Sequence, residues 1–209
     1  TAKGQFILTG SATPNHKGIM HSGAGRIARL HMRPMSLYES GASSGKVSLG
    51  ALCAGKFTPA MTGDVDLRNI IEHIIRGGWP ANMDTPIEQA ALSKEYIEAI
   101  IMDDAFRIDG IKRDVCKMRM LLKSIARNES TTATKKKLQN DVMETDSQDI
   151  DANTVTAYLD VFERLFLLDN QPPFATKIRS SVRVKQAEKR HFADPSLACA
   201  LLNVTPQML

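Results

Sequence analysis

The sequence predicts a mainly helical fold. Of its 209 residues, 43% are apolar but only 5% are aromatic, and ten are methionine. Aromatic-poor chains rich in Leu, Ile, Met and Ala favour helices. Apolar residues recur at helical spacing over much of residues 64–209, and strand-like runs occur near the start of the chain and after Pro172–Pro173. These observations predict a short α/β remnant, then a helical region, then a winged helix-turn-helix.

Composition excludes several classes of protein. The apolar and charged fractions, 43% and 24%, are those of a folded soluble chain. No apolar run approaches the roughly 18 residues of a membrane span, and no secretory leader opens the chain, so no membrane contact is expected. The net charge of +4 is too small to indicate nucleic acid by itself.

The three cysteines indicate a reducing, cytoplasmic location. Cys53, Cys116 and Cys199 are odd in number and far apart, so they form neither a metal-ligand spacing nor a disulfide framework. We predict that each is a small buried apolar residue.

Residues 1–40 begin with a predicted strand. The run QFILTG at residues 5–10 is apolar without alternation, which is typical of a strand covered on both faces in a parallel sheet. Such a strand needs neighbours, and we expect these to lie upstream of Thr1. Ile27, Leu30 and Met32 alternate loosely and predict a second short strand before Pro34. Residues 41–63, rich in Gly, Ser and Ala, predict a flexible connector with one weak helical patch.

Residues 64–105 predict a helical region. Asp64 or Asp66 can cap a first helix, and Gly77–Gly78 followed by Pro80 ends it. A second helix fits residues 85–105. The apolar stripe of the first helix comprises Leu67, Ile70, Ile71, Ile74 and Ile75.

Residues 106–209 predict a winged helix-turn-helix. A turn at Asp109–Gly110 precedes a long helix, and a short helix over residues 133–142, capped from Ser130 to Thr132, follows it. Asp151 or Asn153 then caps a third, amphipathic helix, which completes the helix-turn-helix layout. Residues 177–185 and 188–193 predict the two strands of the wing. Asp194 caps a last helix that opens with Pro195.

No common catalytic motif is present in the sequence. It contains no GxxxxGK[ST], GxSxG, HExxH or CxxC. The five histidines share no ligand spacing, and we interpret His16 and His21 as solvated side chains. We therefore expect no metal, no cofactor and no catalytic residue in this chain.

The predicted wing is strongly basic. Residues 174–191 carry six basic side chains against one acid, Glu188, for a net charge of +5. The third helix carries Asp160 and Glu163, which are unfavourable beside phosphates, so the wing would contact nucleic acid more than that helix. A solvated or protein-facing surface stays open as the alternative. The candidate nucleic-acid contacts are Lys177, Arg179, Arg183, Lys185, Lys189 and Arg190.

The end of the first predicted strand is a second candidate site. The hydroxyls of Thr9 and Ser11 could hydrogen-bond an attacking water or a phosphate oxygen. Arg26 follows two nearby glycines, and a guanidinium there could bind two phosphate oxygens. The alternative is an ordinary strand end with a surface arginine.

Seven segments, taken in order, carry a family resemblance: FILTGSATP, GAGRIARLHMRPMSLYE, RGGWP, DGIKRD, SIARN, TVTAYLDVFERLFLLD and KRHFADPSLACALL. The chain resembles bacterial AAA-type ATPases fused to a C-terminal domain of unknown function. The resemblance implies a P-loop core, a winged-helix region and a domain like the restriction endonucleases. This chain would then be a middle fragment. The Walker A and B segments would lie upstream of Thr1, and the nuclease-like part beyond Leu209.

The resemblance also implies roles for the polar residues near the start. Thr9 and Ser11 fall at the position of a polar nucleotide sensor, and Arg26 resembles an arginine finger or sensor that reads the γ-phosphate. ATP and Mg²⁺ would be cofactors of the complete protein only. ATP hydrolysis would move the winged-helix region relative to the core and act on a nucleic acid or a protein partner. The alternative is a non-enzymatic winged-helix module that binds DNA or another protein.

Overall fold

The computed structural model describes residues 4–13, 25–56, 58–60, 65–83, 89–147, 149–174 and 186–209. Within this part of the chain the structure is mainly helical, which confirms the predicted class. None of the described helices is long and apolar enough to cross a membrane. The helices are α1 Leu49–Cys53, α2 Leu67–Arg76, α3 Gln89–Ala99, α4 Ala105–Arg107, α5 Val115–Arg127, α6 Lys135–Thr145, α7 Ala152–Arg164 and α8 Pro195–Leu202.

Two shorter elements interrupt the α-helical pattern. A 3₁₀ turn over Pro80–Asn82 follows the end of α2. A π-helical turn over Ile100–Asp104 joins α3 to α4, so that residues 89–107 form one continuous helix, and Ile100 and Ile101 are buried within it. The turn at Asp109–Gly110 then ends this helix, as the sequence predicts.

Capping residues start the helices where the sequence predicts them in three cases. Asp66, Asp151 and Asp194 each accept a hydrogen bond from a backbone N–H in the first turn of α2, α7 and α8. The cap predicted for α6 is wrong, because α6 is capped by Thr134. Residues 130–132 belong to the preceding turn: Ser130 has a φ of 61°, and the Thr131 hydroxyl bonds back to the carbonyl of Asn128.

Helix α8 is the centre of the folded part. Its sequence PSLACALL is apolar on all sides, which is typical of a helix enclosed by others. Its residues from Ser196 to Leu201 are all buried, and it packs against α2, α3 and α5. One core therefore joins residues of the two predicted regions 64–105 and 106–209, whose boundaries stay a prediction.

The three helices of the predicted helix-turn-helix pack on one another. α5 contacts α6, and α6 contacts α7. Leu138 and Val142 of α6 and Phe162 of α7 are completely buried in the shared core. The thin apolar face of α6 is thus sufficient, because Leu138 and Val142 point into that core, although Met143 is 44% exposed.

The predicted wing is described in part. Residues 177–185 lie outside the described residues, so the first wing strand stays a prediction. Residues 188–193 form no continuous strand. Instead they make two antiparallel bridges with the chain just after α7, Leu168 to Phe192 and Gln171 to Lys189. His16, His21 and the alternative cap Asp64 also lie outside the described residues.

The described residues between 4 and 56 form a region that we call the arm. The strands predicted for residues 5–10 and 27–32 are not formed there. Phe6, Ile7 and Leu8 are 86%, 89% and 88% exposed. An isolated extended segment has no ladder partner and no surface on which to bury two faces. The weak helical patch of the connector is α1, which buries none of its residues.

The cysteine prediction is wrong at two positions. Cys199 is buried in α8, as predicted, but Cys53 and Cys116 are exposed. Cys53 lies in the exposed helix α1, and Cys116 lies on the solvent side of α5. The apolar character of cysteine suggests burial, but it does not show which side of a helix faces the core.

Candidate functional site

A segment of the arm is fastened across the folded domain, and we call residues 29–36 the strap. The ring of His31 lies against that of Phe166, with the ring centroids 4.4 Å apart. Arg33 donates two hydrogen bonds to the carboxylate of Asp169, at 2.5 and 3.1 Å. This arginine holds the pKa of Asp169 below its usual value, mainly through the hydrogen bonds and then through its charge. Both contacts join the strap to the chain that follows α7.

The strap has two different sides. His31 and Arg33 contact the domain, whereas Leu30 and Met32, which alternate with them, are 95% and 88% exposed. Successive side chains of an extended chain point in opposite directions, so the apolar pair lies on the outward side. The inner side of the strap is polar and aromatic, and its outer side is apolar.

The end of the strap meets the end of α2 at two glycines. The backbone N–H of Met35 donates to the carbonyl of Gly78 at 2.8 Å. A Cβ added at Gly78 would lie 2.2 Å from the Met35 carbonyl oxygen, and one added at Gly77 would lie 2.3 Å from Asp194 Oδ1. Gly77 also has a φ of 68°, which glycine adopts at no steric cost. The two glycines therefore allow three segments to meet closely.

A buried polar cluster completes this junction. Asp194 accepts hydrogen bonds from the N–H groups of Gly78, at 2.8 Å, and Ser196, at 2.9 Å. The Ser196 hydroxyl contacts the indole Nε1 of Trp79 and the hydroxyl of Ser93, each at 2.9 Å. These groups are bonded to one another, so the cluster fixes the fold rather than offering a free nucleophile or base.

Arg190 anchors the end of residues 174–191, which we call the basic segment. It is 7% exposed, and its Nε donates to the Ala133 carbonyl at 3.1 Å. Its backbone N–H donates to Thr131 at 2.8 Å, and its carbonyl accepts from Ser130 at 2.9 Å. All three partners belong to the loop between α5 and α6. The end of the basic segment is thereby held just before the first residues of α6.

A Glu–His pair lies beside this anchor. Nδ1 of His191 is 2.8 Å from Glu129 Oε1 and 3.4 Å from the Ser130 hydroxyl. The other oxygen of Glu129 accepts the N–H of Phe192 at 3.0 Å. A hydrolase triad requires the hydroxyl and the carboxylate on opposite ring nitrogens, and here both face Nδ1. The arrangement therefore fastens residues 191–192 to the end of α5 and cannot relay a proton in that way.

The residues predicted to sense nucleotide lie apart from this cluster. Thr9, Ser11 and Arg26 are exposed, and no hydrogen bond among the described residues joins either hydroxyl to Arg26. The arm is attached to the domain just after Thr9 and Ser11, since the Thr13 N–H donates to the Arg164 carbonyl at 2.9 Å. Their proposed role needs a surface that the described residues do not supply.

The residues predicted to contact nucleic acid divide into three groups. Four of them lie outside the described residues: Lys177, Arg179, Arg183 and Lys185. Lys189 is exposed, as a phosphate contact must be. Arg190 departs from the expectation, because its guanidinium is buried against Ala133 and cannot reach a phosphate. The pairing of residues 189–192 with residues 168–171 determines that burial, and no local pattern encodes it.

Sequence reasoning missed two features that the fold brings together. The odd-numbered residues His31 and Arg33 reach the domain, and their alternation with Leu30 and Met32 was a readable signal. The run Lys135–Lys137 was visible as well, but its closeness to residue 190 depends on long-range contacts. In the part of the chain that the structure describes, no group of three or more His, Cys, Asp or Glu side chains could hold a metal ion.

Comparison with known proteins gives one match. The model of a family described as a domain of unknown function (DUF8612) matches residues 67–208. The match begins at the first residue of α2, so the arm lies outside it. No curated protein and no solved structure matches the chain.

Proposed function

The chain belongs to the DUF8612 family, and we propose that it is the part of a P-loop ATPase that couples nucleotide hydrolysis to a helical effector domain. The ordered motifs that resemble AAA-type ATPases support this proposal. So does the exposed apolar arm, whose composition suits strands of a covered sheet. ATP and Mg²⁺ would bind to a P-loop segment upstream of Thr1.

The attachment of the strap is the observation that carries the proposal. Arg26 is seven residues before Arg33, and Arg33 is bonded to Asp169 of the folded domain. Met35 is bonded to Gly78 at the end of α2. A displacement of Arg26 that followed the state of the γ-phosphate would therefore pull on two separate points of the domain. Thr9 and Ser11 would sense the phosphate from the other end of the arm.

The first test uses a polypeptide that contains the coding sequence upstream of Thr1. We expect that sequence to encode GxxxxGK[ST]. Arg26→Ala should then lower the rate of ATP hydrolysis by roughly 10³-fold, as expected for an arginine finger, with nucleotide affinity retained. Arg29→Ala is the matched control and should retain most of the activity. The proposal fails if no P-loop is encoded upstream or if Arg26→Ala hydrolyses ATP normally.

The 209-residue chain offers a second test. Because it contains no GxxxxGK[ST], we expect calorimetric titration with Mg²⁺ and ATP to detect no micromolar binding. Micromolar binding to this chain would contradict the assignment of the nucleotide site to another segment.

A second candidate function is a non-enzymatic winged-helix module that binds nucleic acid. The anchoring of Arg190 favours it, because that contact holds one end of the basic segment beside the lysines of α6. Duplex DNA should bind with an affinity that falls steeply with salt. The double variant Arg183→Glu with Lys185→Glu should abolish binding. Absence of binding at low salt would exclude this function and leave an acidic protein partner as the occupant of the basic segment.

A further inference from the structure

We infer that α6 and α7 present a face that contacts duplex nucleic acid, with Lys135, Lys136 and Lys137 on phosphates and Asn153 and Thr156 toward a groove. This inference rests on the second candidate function above. It adds a set of contacts to the basic segment that the sequence singled out, and it assigns the duplex as the form of nucleic acid.

The first turns of α6 and α7 expose polar side chains on one face. α6 buries Leu138 and Val142 in the core, which leaves its first three residues, all lysines, exposed. Asn153 and Thr156 are exposed on α7. The ammonium of Lys135 lies 3.4 Å from the Thr156 hydroxyl, so the two helices share one continuous polar face.

The end of the basic segment lies close to the start of α6. The buried Arg190 ties residue 190 to Thr131 and Ala133, only a few residues before Lys135. Lys189 is exposed next to it. The exposed Lys189 is thereby brought to the end of α6 that bears Lys135, although the two lysines lie far apart in the sequence. Arg190 is a positioning residue in this arrangement.

The two acids of α7 lie away from its first residues. Asp160 lies 3.8 Å from Arg164, and Glu163 accepts a hydrogen bond from Asn170 at 2.8 Å. Both acids lie in the second half of α7, whereas recognition helices read bases with their first residues. The acids therefore lie beyond the part of α7 that would approach a groove.

The turn before α7 bears two further acids. The carboxylate of Asp151 accepts hydrogen bonds from Thr154 and, with a smaller effect, from Asn153, which lower its pKa, and Asp149 is exposed. Against these two negative charges stand the three lysines of α6. The described face thus has a small positive excess, and the exposed Lys189 is balanced by the exposed Glu188 next to it.

The described face of α6 and α7 exposes no aromatic side chain, which bears on whether it binds a duplex or a single strand. Proteins that bind single strands stack bases on exposed aromatic side chains. The aromatic residues of α7, Tyr158 and Phe162, are buried, and α6 contains none. On the face of α6 and α7, short polar side chains and lysines without aromatic platforms suit the groove and the phosphates of a duplex, whereas the exposed Phe174 lies at the start of the basic segment.

The test measures binding by fluorescence anisotropy. The probe is a labelled DNA duplex of mixed sequence and about 20 base pairs. Lys136→Glu with Lys137→Glu should weaken binding at least tenfold and reduce the slope of log affinity against log salt by about 2. The matched control, Lys46→Glu with Lys94→Glu, changes two exposed lysines elsewhere and should weaken binding less than twofold. Asn153→Ala should weaken binding without changing the slope, because it removes no charge.

Each outcome has a distinct meaning. If the wild type does not bind the duplex at about 50 mM salt, the second candidate function fails and the inference fails with it. If Arg183→Glu with Lys185→Glu abolishes binding while Lys136→Glu with Lys137→Glu behaves like the control, the function stands and the inference is overturned. Tighter binding to a single strand of the same length overturns the assignment of the duplex. Circular dichroism of every variant establishes that the helices are retained.

Discussion

The arm and the folded domain treat similar apolar side chains in opposite ways. Phe6 in the arm is 86% exposed, whereas Phe162 in α7 is completely buried. Leu30 of the strap is 95% exposed, whereas Leu122 of α5 is completely buried. The difference lies in what surrounds them, because α5, α6, α7 and α8 offer one another apolar faces and the arm has no second layer. Burial of apolar side chains is favourable, but it occurs only where a complementary apolar surface covers them.

The strap meets the folded domain through polar and ring contacts. The strap is attached by contacts that include an ion pair, a ring contact and a backbone hydrogen bond, while its Leu30 and Met32 side chains face away from the domain. Such polar attachments fix position and contribute little stability when exposed. The strap is therefore held by polar and ring contacts, whereas Ala12, in an earlier part of the arm, packs against the core.

The largest test of this comparison is the truncation of one phenylalanine in each region. Phe162→Ala should lower the free energy of unfolding by about 3–5 kcal/mol, because it removes a fully buried ring. Phe6→Ala should change it by less than about 0.5 kcal/mol. Urea unfolding followed by circular dichroism measures both. Comparable losses in the two variants would show that Phe6 is buried in solution and would break the comparison.

The next test loosens the junction between the regions. Gly78→Ala places a Cβ against the backbone of Met35, which cannot move aside as a side chain could. We expect a loss of about 1–3 kcal/mol in unfolding free energy and faster proteolysis of the arm. Gly10→Ala is the control, since its nearest contact would be at 3.8 Å. Unchanged proteolysis in Gly78→Ala would mean that the strap does not rest on this glycine.

The smallest effects come from two Arg–Asp pairs, one in each region. In the domain, the hydrogen bond from Arg113 holds the pKa of Asp109 below its usual value, and both side chains are largely buried. In the strap, the partner of Asp169 is Arg33, which is 65% exposed. A lowered folded-state pKa stabilises the protein above the unfolded pKa of about 3.9, and that stability is lost as the pH falls through the folded value.

Asp109→Asn should therefore cost roughly 1.5 kcal/mol at neutral pH, and the difference from the wild type should shrink as the pH falls below about 4. Asp169→Asn should leave the unfolding midpoint nearly unchanged, because its partner is solvated. Urea titrations between pH 7 and pH 3 check both variants. An equal pH dependence in the two would show that the strap pair is as protected from solvent as the domain pair.

The helices were predictable because their signals are local. Asp66 and Asp151 each precede an apolar period of 3.6, and Asp194 precedes Pro195 at the first helical position, so each helix start has a local signal. The cap of α6 was missed because Ser130 and Thr131 are equally good capping types but are bonded into the preceding turn. Several residues before α6 could cap it, and because Ser130 and Thr131 belong to the preceding turn, Thr134 is the cap.

The strands and the sites were less predictable because they depend on distant partners. The apolar run at residues 5–10 has a strand composition, yet composition cannot supply the neighbouring strands. Arg190 was expected at the surface with the other basic residues, and its burial follows from pairing with the chain after α7. The roles of Thr9, Ser11 and Arg26 stay predictions for the same reason, since they require a surface supplied from elsewhere.

The π-helical turn at Ile100–Asp104 has a consequence for how the long helix is phased. A π turn contains about one residue more than an α turn, and the helix accommodates that residue without breaking. If residues 100–104 were wound as an ordinary α-helix instead, the extra residue would rotate every later residue by roughly 100° about the axis and lengthen the axis by about 1.5 Å. Ala105 would then turn away from the core, and the Asp109–Arg113 pair would begin from a different direction. The π turn absorbs the extra residue and thus preserves the rotational alignment between α3 and everything that follows it.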